Sequence, residues 1–310
     1  METWEIKVDK MFKQKLCGKI IVNPFKCPGE SIKQANRLLQ EFELRGVNAS
    51  IIDNGYAYNL LCNDKLYLDF KNTDFVVFLD KDKYLAEIIQ KQGIAMFNDA
   101  KGIAVCDDKG LTCISLANSG LHLPKTIFAP VCYSQQSPLQ NEFVERVESV
   151  LGYPLVVKSS YGSMGKGIHL VKNRAQLVEV MNSLKTYPHI FQEYLGKQVG
   201  TDIRVIVIGG KAVALMKRIN KGDFRSNIGQ GGYGEGISLT DENYKQFIDC
   251  AEQASKILNL HYCGVDLLFA DDNSPVICEV NSNAFFEGIE IATKVNVAGA
   301  YADYIIKTIS

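Results

Sequence analysis

The sequence predicts an α/β protein with a parallel α/β lobe first and antiparallel strands in the lobes that follow. Strand-like and helical segments alternate between residues 16 and 100, which is typical of a parallel sheet covered by helices. Beyond that region, apolar runs flank short turns at 154–171, 201–216 and 265–281, and each pattern predicts a β-hairpin. A chain of 310 residues is long enough for two or three such lobes.

The composition favours a small molecule or a peptide as the partner. The formal net charge of −1 gives no electrostatic reason to expect nucleic acid or an anionic membrane. No apolar run approaches the roughly 20 residues of a membrane helix, and the N-terminus lacks the apolar core of a secretion signal. Nine cysteines, an odd number without a CxxC pair, favour a reducing, cytoplasmic setting.

In the first lobe the pattern predicts four strands, at 19–23, 47–52, 74–79 and 94–97, and two helices, at 31–45 and 81–92. Ser31 can cap the first helix and Gly46 can end it. Residues 1–15 give only a weak signal for a short helix or an added strand. The first loop lacks the GxGxxG pattern, which argues against a dinucleotide fold.

The remaining two thirds of the chain alternate between helical and extended patterns. Helices are predicted at 99–121, 141–151, 174–185, 241–258 and 297–309. Outside the three hairpins, strands are predicted at 131–133 and 191–195.

The stretch 154–171 combines a strand ending at Lys158 with a glycine-rich turn and a returning strand. Gly162, Gly165 and Gly167 allow the backbone to approach a phosphate closely, and Lys158 and Lys166 supply positive charge. The stretch is not a Walker motif, because the pattern GxxxxGK(S/T) is absent and the glycines are followed by a strand and not by a helix. Taken in isolation, the stretch is better explained as a plain glycine-rich hairpin than as a phosphate-binding loop.

The hairpin 265–281 brings hard oxygen ligands together. Glu279 and Asn281 are two residues apart on the second strand and therefore share a face, and the turn folds Asp266 alongside them. Two carboxylates and an amide oxygen suit Mg²⁺, which is commonly held together with nucleotide phosphates. Polar residues at ordinary strand ends would give the same pattern.

The polar loop 220–232 also allows a functional and a purely structural interpretation. It is either a substrate-binding loop or an exposed surface loop.

Several motifs occur in an order that resembles one known family. They are the segment from Gly222 to Asn227 with Gly231 and Gly232, then Gly264 to Asp266, Glu279 to Asn281, and Glu287 to Glu290. From about residue 19 to 306 the chain resembles the RimK-type carboxylate–amine ligases of the ATP-grasp superfamily. The resemblance implies a three-lobe ATP-grasp fold with lobes at 1–105, 106–190 and 191–310, and ATP between the last two.

The resemblance also implies roles for individual residues. The residues that would contact the phosphates or form the lid over them are Lys109, Lys158, Gly162, Ser163, Gly165, Lys166 and Gly167. The residues that would form the adenine-binding hinge are Gln192, Glu193 and Tyr194. Asp202 corresponds to the ribose-binding acid, and Asp266, Glu279 and Asn281 to the ligands of Mg²⁺ or Mn²⁺. The groups facing the phosphates and the carboxylate substrate are Lys217, Arg218, Arg225 and Asn227.

One departure from the family pattern follows the metal-binding Asn. The family usually carries Ser-Pro-Gly there, whereas this chain has Ser282 to Phe286 with two phenylalanines. Phe285 and Phe286 either reshape the pocket for the amine substrate or pack into the core. The departure weakens the expectation that glutamate is the amino acid joined more than the expectation that the protein is a ligase.

The function implied is ATP-dependent ligation through an acyl phosphate, joining a glutamate-like amino acid to a carboxylate of a small molecule, peptide or protein terminus. Two alternatives are a peptide-modifying ligase that cross-links side chains and a non-catalytic ATP-binding module. The family resemblance implies a homodimer or homotetramer as well.

Overall fold

The computed structural model describes residues 15–23, 25, 28–57, 59–163, 165–226 and 231–310. The chain divides into two compact units: one extends to Ala100 and includes Ala298–Ser310, and the other is Lys101–Val297. Apart from Lys15, the element predicted in residues 1–15 lies outside the described residues. The division into three lobes stays a prediction.

The first unit contains a four-stranded parallel sheet in the order β2-β1-β5-β6. Its strands are β1 (Cys17–Val22), β2 (Asn48–Asp53), β5 (Phe75–Phe78) and β6 (Ala95–Phe97). Helices α1 (Pro28–Leu44) and α2 (Lys83–Lys91) alternate with these strands, which confirms the predicted parallel α/β lobe. Between β2 and β5 lies a small hairpin that the sequence did not predict, β3 (Asn59–Cys62) and β4 (Lys65–Leu68).

Aromatic rings fill the core of this unit. Gly18 lies opposite Phe75 in the parallel register, and a Cβ on Gly18 would lie 2.2 Å from the Phe75 ring. The ring of Phe75 packs against Phe42 and Phe97. The last helix, α9 (Val297–Ile309), adds Tyr304 against Phe97, so the C-terminus of the chain completes the N-terminal core.

The second unit begins with α3 (Ala100–Asp107) and α4 (Lys109–Leu116) and contains two antiparallel sheets. The smaller sheet has the order β7-β10-β8-β9, formed by β7 (Thr126–Phe128), β8 (Leu155–Ser159), β9 (Ile168–Val171) and β10 (His189–Glu193). Helices α5 (Asn141–Leu151) and α6 (Arg174–Leu184) pack on it through Val147, Leu177 and Phe191.

The strand predicted at 131–133 is wrong. Those residues have no regular structure, and the strand lies earlier, at Thr126–Phe128, where it pairs with β10. Pro130 explains the shift, because proline has no N–H to donate to a neighbouring strand. The predicted helix 99–121 is also shorter, since α3 and α4 together end at Leu116.

The larger sheet has the order β13-β12-β11-β14-β15. Its strands are β11 (Thr201–Ile208), β12 (Lys211–Ile219), β13 (Tyr233–Ile237), β14 (Tyr262–Phe269) and β15 (Pro275–Asn281). The hairpins β11–β12 and β14–β15 confirm the sequence predictions, whereas β13 was not predicted. Helices α7 (Lys245–Ile257) and α8 (Glu287–Thr293) belong to the same unit.

The two faces of this sheet differ sharply in polarity. Residues at alternate positions of a strand share a face, and Ile203, Val205, Val265 and Val280 lie in the buried core beneath α7. The intervening positions therefore form the other face, with Arg204 opposite Asp266 and Asp266 opposite Glu279. One row of pairs along three strands places charged side chains together on that face.

None of the described helices is both long enough and apolar enough to cross a membrane.

Candidate active site

The charged face of the five-stranded sheet carries a buried ion-pair cluster. Arg204 donates from Nε and Nη2 to the two carboxyl oxygens of Asp266, at 2.7 Å each. Arg218 donates from Nε to Asp202 Oδ1 at 2.7 Å and bonds Asp202 Oδ2 through Nη2. The same Nη2 of Arg218 lies 2.9 Å from Asp266 Oδ2, and Ser226 donates to Asp202. Two arginines thus compensate two carboxylates in an apolar sheet.

The cluster fixes the ionisation states of its members. Burial would raise the pKa of Asp266, but Arg204 and Arg218 outweigh it and hold that pKa below its ordinary value. Burial opposes the charge on Arg218, and Asp202 and Asp266 nevertheless raise its pKa. Both groups are therefore charged at neutral pH.

Two lysines line a cavity beside this cluster. Lys109 and Lys158 share the cavity wall with Gln192, Cys278 and Glu279. Asp108 caps α4 by accepting from the backbone N–H groups of Gly110 and Leu111, which fixes Lys109 at the first position of the helix. Lys109 Nζ lies 3.4 Å from Glu279 Oε1, and Lys158 Nζ donates to Cys278 Sγ at 3.8 Å.

The glycine-rich loop is held from two sides. Lys109 Nζ donates to the carbonyl of Gly162 at 3.1 Å, and Arg225 Nη1 donates to the carbonyl of Gly165 at 2.8 Å. Gly167 has a φ of +71°, and a Cβ there would lie 2.9 Å from Ser159 Cβ, so this position requires glycine. Ser163 accepts from the Lys166 N–H through its carbonyl, and the Lys166 side chain is exposed.

Arg225 is itself oriented by a neighbour. Its Nε and Nη2 donate to the two carboxyl oxygens of Asp223, at 3.0 and 2.6 Å. These hydrogen bonds lower the pKa of Asp223 and raise that of Arg225. The loop that carries Arg225 therefore presents a fixed guanidinium to the glycine-rich loop.

The three predicted hinge residues have different surroundings. Gln192 is 3% exposed and donates to Thr126, while its Oε1 is buried without a hydrogen-bond partner. Glu193 is engaged locally, since its Oε1 accepts from the Lys125 N–H at 2.8 Å. The ring of Tyr194 packs against Phe224. Of the three side chains, Gln192 offers an unused acceptor to a ligand in the cavity.

The predicted metal ligands fit a magnesium ion in their chemistry. Asp266 and Glu279 are direct partners in the β14–β15 register, and Asn281 lies opposite Gly264, two pairs further along on the same face. Glu279 is 28% exposed and has Lys109 as its ion-pair partner. The Nδ2 of Asn281 is buried without a partner, and rotation of that amide would present its oxygen instead. Such hard oxygen donors suit Mg²⁺.

Three arginine hydrogen bonds leave Asp266 one unused lone pair, on Oδ1. Among the described residues, no group of three His, Cys, Asp or Glu side chains could hold a metal ion by itself. A metal would therefore need the Asn281 amide and oxygen atoms of a bound nucleotide in addition to the two carboxylates.

Two predicted residues do not join the cluster in the described structure. Lys217 lies opposite Ile203, whose side chain is in the core beneath α7, so strand alternation places Lys217 on the other face from Arg218. Asn227 lies outside the described residues. Asp202 has both carboxyl oxygens engaged, and its contact with ribose stays a prediction.

Sequence reasoning missed Arg204 and Ser226. A signal for Arg204 was available, because it is two residues from Asp202 in a strand and so shares its face. Ser226 lies in the irregular loop after β12, and no periodicity connects it to Asp202.

The turn after Asn281 packs against the sheet. Phe286 is 2% exposed, and its ring packs edge-on against Tyr262, so it is a core residue. Phe285 is partly exposed. Tyr262 donates from its hydroxyl to the carbonyl of Ala284 at 2.7 Å.

The sheets, the two lysines and the carboxylate row define an ATP-grasp fold, and solved structures agree. D-alanine–D-alanine ligase from Bacillus anthracis, solved with ATP, has a TM-score of 0.71 at 17% identity, over 95% of this chain and 97% of that chain. The ATP-grasp ligase PsnB, solved with a precursor variant, Mg and ADP, has a TM-score of 0.66 at 18% identity, over 96% and 99%. At these identities the likeness shows the fold alone.

The family follows from the sequence comparison. The model of the RimK-like ATP-grasp domain matches residues 106–305, and the chain belongs to that family. It is 34% identical to human N-acetylaspartylglutamate synthase A over 227 residues, which are 73% of this chain and 56% of the synthase. It is 37% identical to a probable alpha-L-glutamate ligase of Maridesulfovibrio salexigens over 222 residues, 70% of this chain and 69% of the ligase. The matched region thus spans little more than half of the human relative.

Proposed function

We propose that the protein is an ATP-dependent carboxylate–amine ligase that joins L-glutamate to a carboxylate of a small molecule, peptide or protein terminus. The observation that carries this proposal is the juxtaposition of Lys109, Lys158 and Glu279 around one cavity, with Asp266 directly opposite Glu279. Two lysines that can bind phosphates thereby lie beside two carboxylates that can bind a divalent metal ion. The relatives named as a glutamate ligase and an N-acetylaspartylglutamate synthase support glutamate as the amine.

The side chains around the cavity suit the base and the phosphates of ATP in their chemistry, and the cavity would have to widen to admit them. Gln192 Oε1 is a buried acceptor without a partner, and the exocyclic amino group of adenine is a donor of matching chemistry. Lys109 and Lys158 would offset phosphate charge, and the loop from Gly162 to Gly167 would cover the phosphates. Burial raises the pKa of the Cys113 and Cys278 thiols in the same wall, so both line the cavity as neutral groups.

Glu279, Asp266 and Asn281 would hold Mg²⁺, which supplies charge neutralisation for phosphoryl transfer when bound. Mn²⁺ would suit the same oxygen ligands.

The reaction proceeds in two steps. A substrate carboxylate attacks the γ-phosphorus of ATP, forming an acyl phosphate and releasing ADP. The neutral amine of the second substrate then attacks the acyl carbon; the new C–N bond forms as the C–O bond to phosphate breaks, one amine proton leaves with the phosphate, and the products are an amide and inorganic phosphate. The chain's contribution is positioning and electrostatics, and no protein nucleophile is required.

Exclusion of water is the other task of the chain. The acyl phosphate would hydrolyse in contact with water, so the loops must close over it. Lys109 and Arg225 each hold a carbonyl of the glycine-rich loop. These contacts support a role for that loop as a lid.

Hydroxylamine trapping tests the proposal. The full chain is incubated with ATP, Mg²⁺, hydroxylamine and a panel of carboxylates that includes N-acetyl-L-aspartate, and hydroxamate and ADP are measured. We expect carboxylate-dependent formation of both, and an amide product when L-glutamate replaces hydroxylamine. Lys158→Met should abolish turnover, whereas Lys256→Met, on an exposed side chain, should not. The absence of hydroxamate and ADP with every carboxylate would refute the proposal.

A second candidate is a ligase that modifies peptides by cross-linking their side chains. The likeness to PsnB, which was solved with a precursor variant, favours it at the level of fold. Incubation with peptides bearing Glu and Lys side chains, followed by mass spectrometry, distinguishes the two. Cross-linking removes one water from a single peptide, whereas glutamate ligation adds one glutamate residue.

We also propose that the protein works in the cytoplasm as a homodimer or homotetramer. The eight described cysteines are all free thiols, which agrees with a reducing compartment. Sedimentation velocity would measure the oligomeric state, and a single species at the monomer mass would exclude both oligomers.

A further inference from the structure

The amide of Gln192 is held in one orientation by its neighbour across the sheet. Thr126 is the direct partner of Gln192 in the antiparallel register of β7 and β10, so the two side chains share a face. Gln192 Nε2 donates to Thr126 Oγ1 at 3.0 Å and to Cys113 Sγ at 3.7 Å. The Thr126 hydroxyl donates in turn to the carbonyl of Pro124 at 2.8 Å. Pro124, Thr126 and Gln192 therefore form a chain of hydrogen bonds that begins at a backbone carbonyl.

The carbonyl of Pro124 sets the direction of this chain. A carbonyl oxygen can only accept, and a hydroxyl carries one proton, so the proton of Thr126 is committed to Pro124. The hydroxyl oxygen then presents only lone pairs to Gln192, and the amide must turn its NH2 group toward that oxygen. The reverse orientation would place two acceptors against each other. Gln192 Oε1 is consequently the atom left over, and it has no hydrogen-bond partner.

This oxygen belongs to a side chain in the wall of the cavity. Alternation along β10 places Ile190 and Gln192 on the cavity face, whereas Phe191 lies in the core on the other face. The same wall contains the apolar side chains Leu116, Leu123 and Ile277 and the two lysines of the candidate site. An apolar wall with one oriented acceptor and two cations matches a flat base joined to phosphates. A base that enters the widened cavity on this face meets an acceptor.

We propose that Thr126 is a specificity-determining residue, which fixes the Gln192 amide so that the nucleotide site accepts 6-aminopurines and rejects 6-oxopurines. Adenine carries an amino group at C6, which donates to Oε1. Guanine and hypoxanthine carry an oxygen there, which would face the Gln192 oxygen, acceptor against acceptor. A site with an oriented polar group rejects the analogue that leaves this group unpaired. The inference rests on the proposed function, and Thr126 is a positioning residue that acts through Gln192.

Calorimetric titration of the full chain with nucleoside diphosphates and Mg²⁺ tests the proposal without turnover. The probes are ADP, GDP and inosine diphosphate, which has the 6-oxo group of guanine without its 2-amino group. Wild type should bind ADP roughly tenfold more tightly than either 6-oxopurine, or more, the usual effect of one hydrogen bond. Thr126→Val keeps the shape but removes the acceptor that fixes the amide. The amide can then turn its NH2 group to a 6-oxo group, so the preference for ADP over inosine diphosphate should be lost.

Matched variants separate orientation of the amide from folding. Thr126→Ser retains the hydroxyl and should retain the wild-type preference, a rescue that altered packing would not produce. Thr186→Val removes an exposed hydroxyl that accepts from Gln135 in the same unit and should not alter the preference. Gln192→Met lacks the amide altogether and should lose the preference, which gives a second measurement if Thr126→Val does not fold.

The outcomes distinguish this inference from the proposed function. Equal binding of ADP and inosine diphosphate by wild type would overturn the inference, as would a wild-type preference in Thr126→Val or in Gln192→Met. Rejection of GDP alone would also overturn it, because the 2-amino group and not the 6-oxo group would then be discriminated. Failure of the proposed function shows separately, as a wild type that binds none of the three nucleotides and yields no hydroxamate.

Discussion

Arg204 engages both carboxyl oxygens of Asp266, at 2.7 Å each. The pair spans two neighbouring strands, β11 and β14, and lies on the face of the sheet that carries the candidate site. Since Arg218 bonds Asp266 as well, the charges of this face are compensated within the chain. The candidate site is therefore held together by ion pairs between the chain's own side chains.

Replacement of Arg218 should destabilise the protein strongly. Arg218→Met leaves Asp202 without its cation in a buried position, and breaking a buried pair from one side costs about 3–5 kcal/mol. Urea denaturation measures the free energy of unfolding. Arg174→Met, which breaks an exposed pair with Glu148, should cost less than about 1 kcal/mol. Equal costs for the two variants would contradict a buried, compensated cluster.

The pH dependence of stability should report on Asp266. Its pKa in the folded state is lowered by the arginines, so its contribution is present above the unfolded value of about 3.9 and is lost as the pH falls through the folded pKa. In Arg204→Met, burial should instead raise this pKa. The folded variant would then take up a proton before the unfolded chain does, and its stability deficit should shrink between pH 7 and pH 5. A pH-independent deficit would argue against this ionisation.

Neutralisation of Glu279 should weaken metal binding without unfolding the protein. Glu279 is partly exposed, and its ion-pair partner is Lys109 at 3.4 Å, so Glu279→Gln should shift stability by less than about 1 kcal/mol. The Mg²⁺ concentration for half-maximal ADP formation, and the Mg²⁺ affinity measured by calorimetry with ADP present, should change by roughly tenfold or more. Glu145→Gln, on the surface of α5, is the control. Unchanged magnesium affinity would remove Glu279 from the metal site.

The amide of Gln192 should contribute to nucleotide affinity. Gln192→Met keeps the volume but removes the buried acceptor Oε1, so ATP should bind roughly tenfold more weakly. Fluorescence titration with an ATP analogue would measure the dissociation constant. Gln253→Met, where the amide donates to Ser119 on the surface, should bind as wild type does. Equal affinities in both variants would count against an adenine contact.

Loss of Arg225 should release the glycine-rich loop. Arg225→Ala removes the hydrogen bond to the Gly165 carbonyl, leaving Lys109 as the side-chain anchor at Gly162. Hydrogen exchange across 160–167 should accelerate several-fold, and ATP hydrolysis without amide formation should increase, because water reaches the acyl phosphate. Lys245→Ala, in an exposed pair with Asp249, serves as the comparison. Unaltered exchange in the loop would show that Arg225 does not hold it.

The hairpins of the site were predictable because their signals are local. The turn between β14 and β15 is rich in Asp, Asn and Pro, and strand alternation alone places Glu279 and Asn281 on one face. The family prediction is confirmed by the domain match over residues 106–305. In the same way, the alternation of strands and helices before residue 100 predicted the parallel sheet.

Other features depend on contacts between distant segments and leave no local pattern. Ser226 reaches Asp202 from an irregular loop, and Arg225 meets Gly165 from 60 residues away. Strand β13 pairs with β12 although its sequence, with two glycines among five residues, has little strand propensity. In each case the tertiary partner decides the conformation.

The sequence by itself determined which chemical groups this protein brings to its site, since residue types and strand periodicity place lysines, carboxylates and glycines in recognisable order. Only the tertiary structure decided how those groups are paired. Asp266 was predicted as a metal ligand, yet it is first a partner of Arg204 and Arg218, because a carboxylate in an apolar sheet must be compensated where it is buried. The unsatisfied oxygen of Gln192 likewise emerged only from packing, since burial is a property of the folded chain.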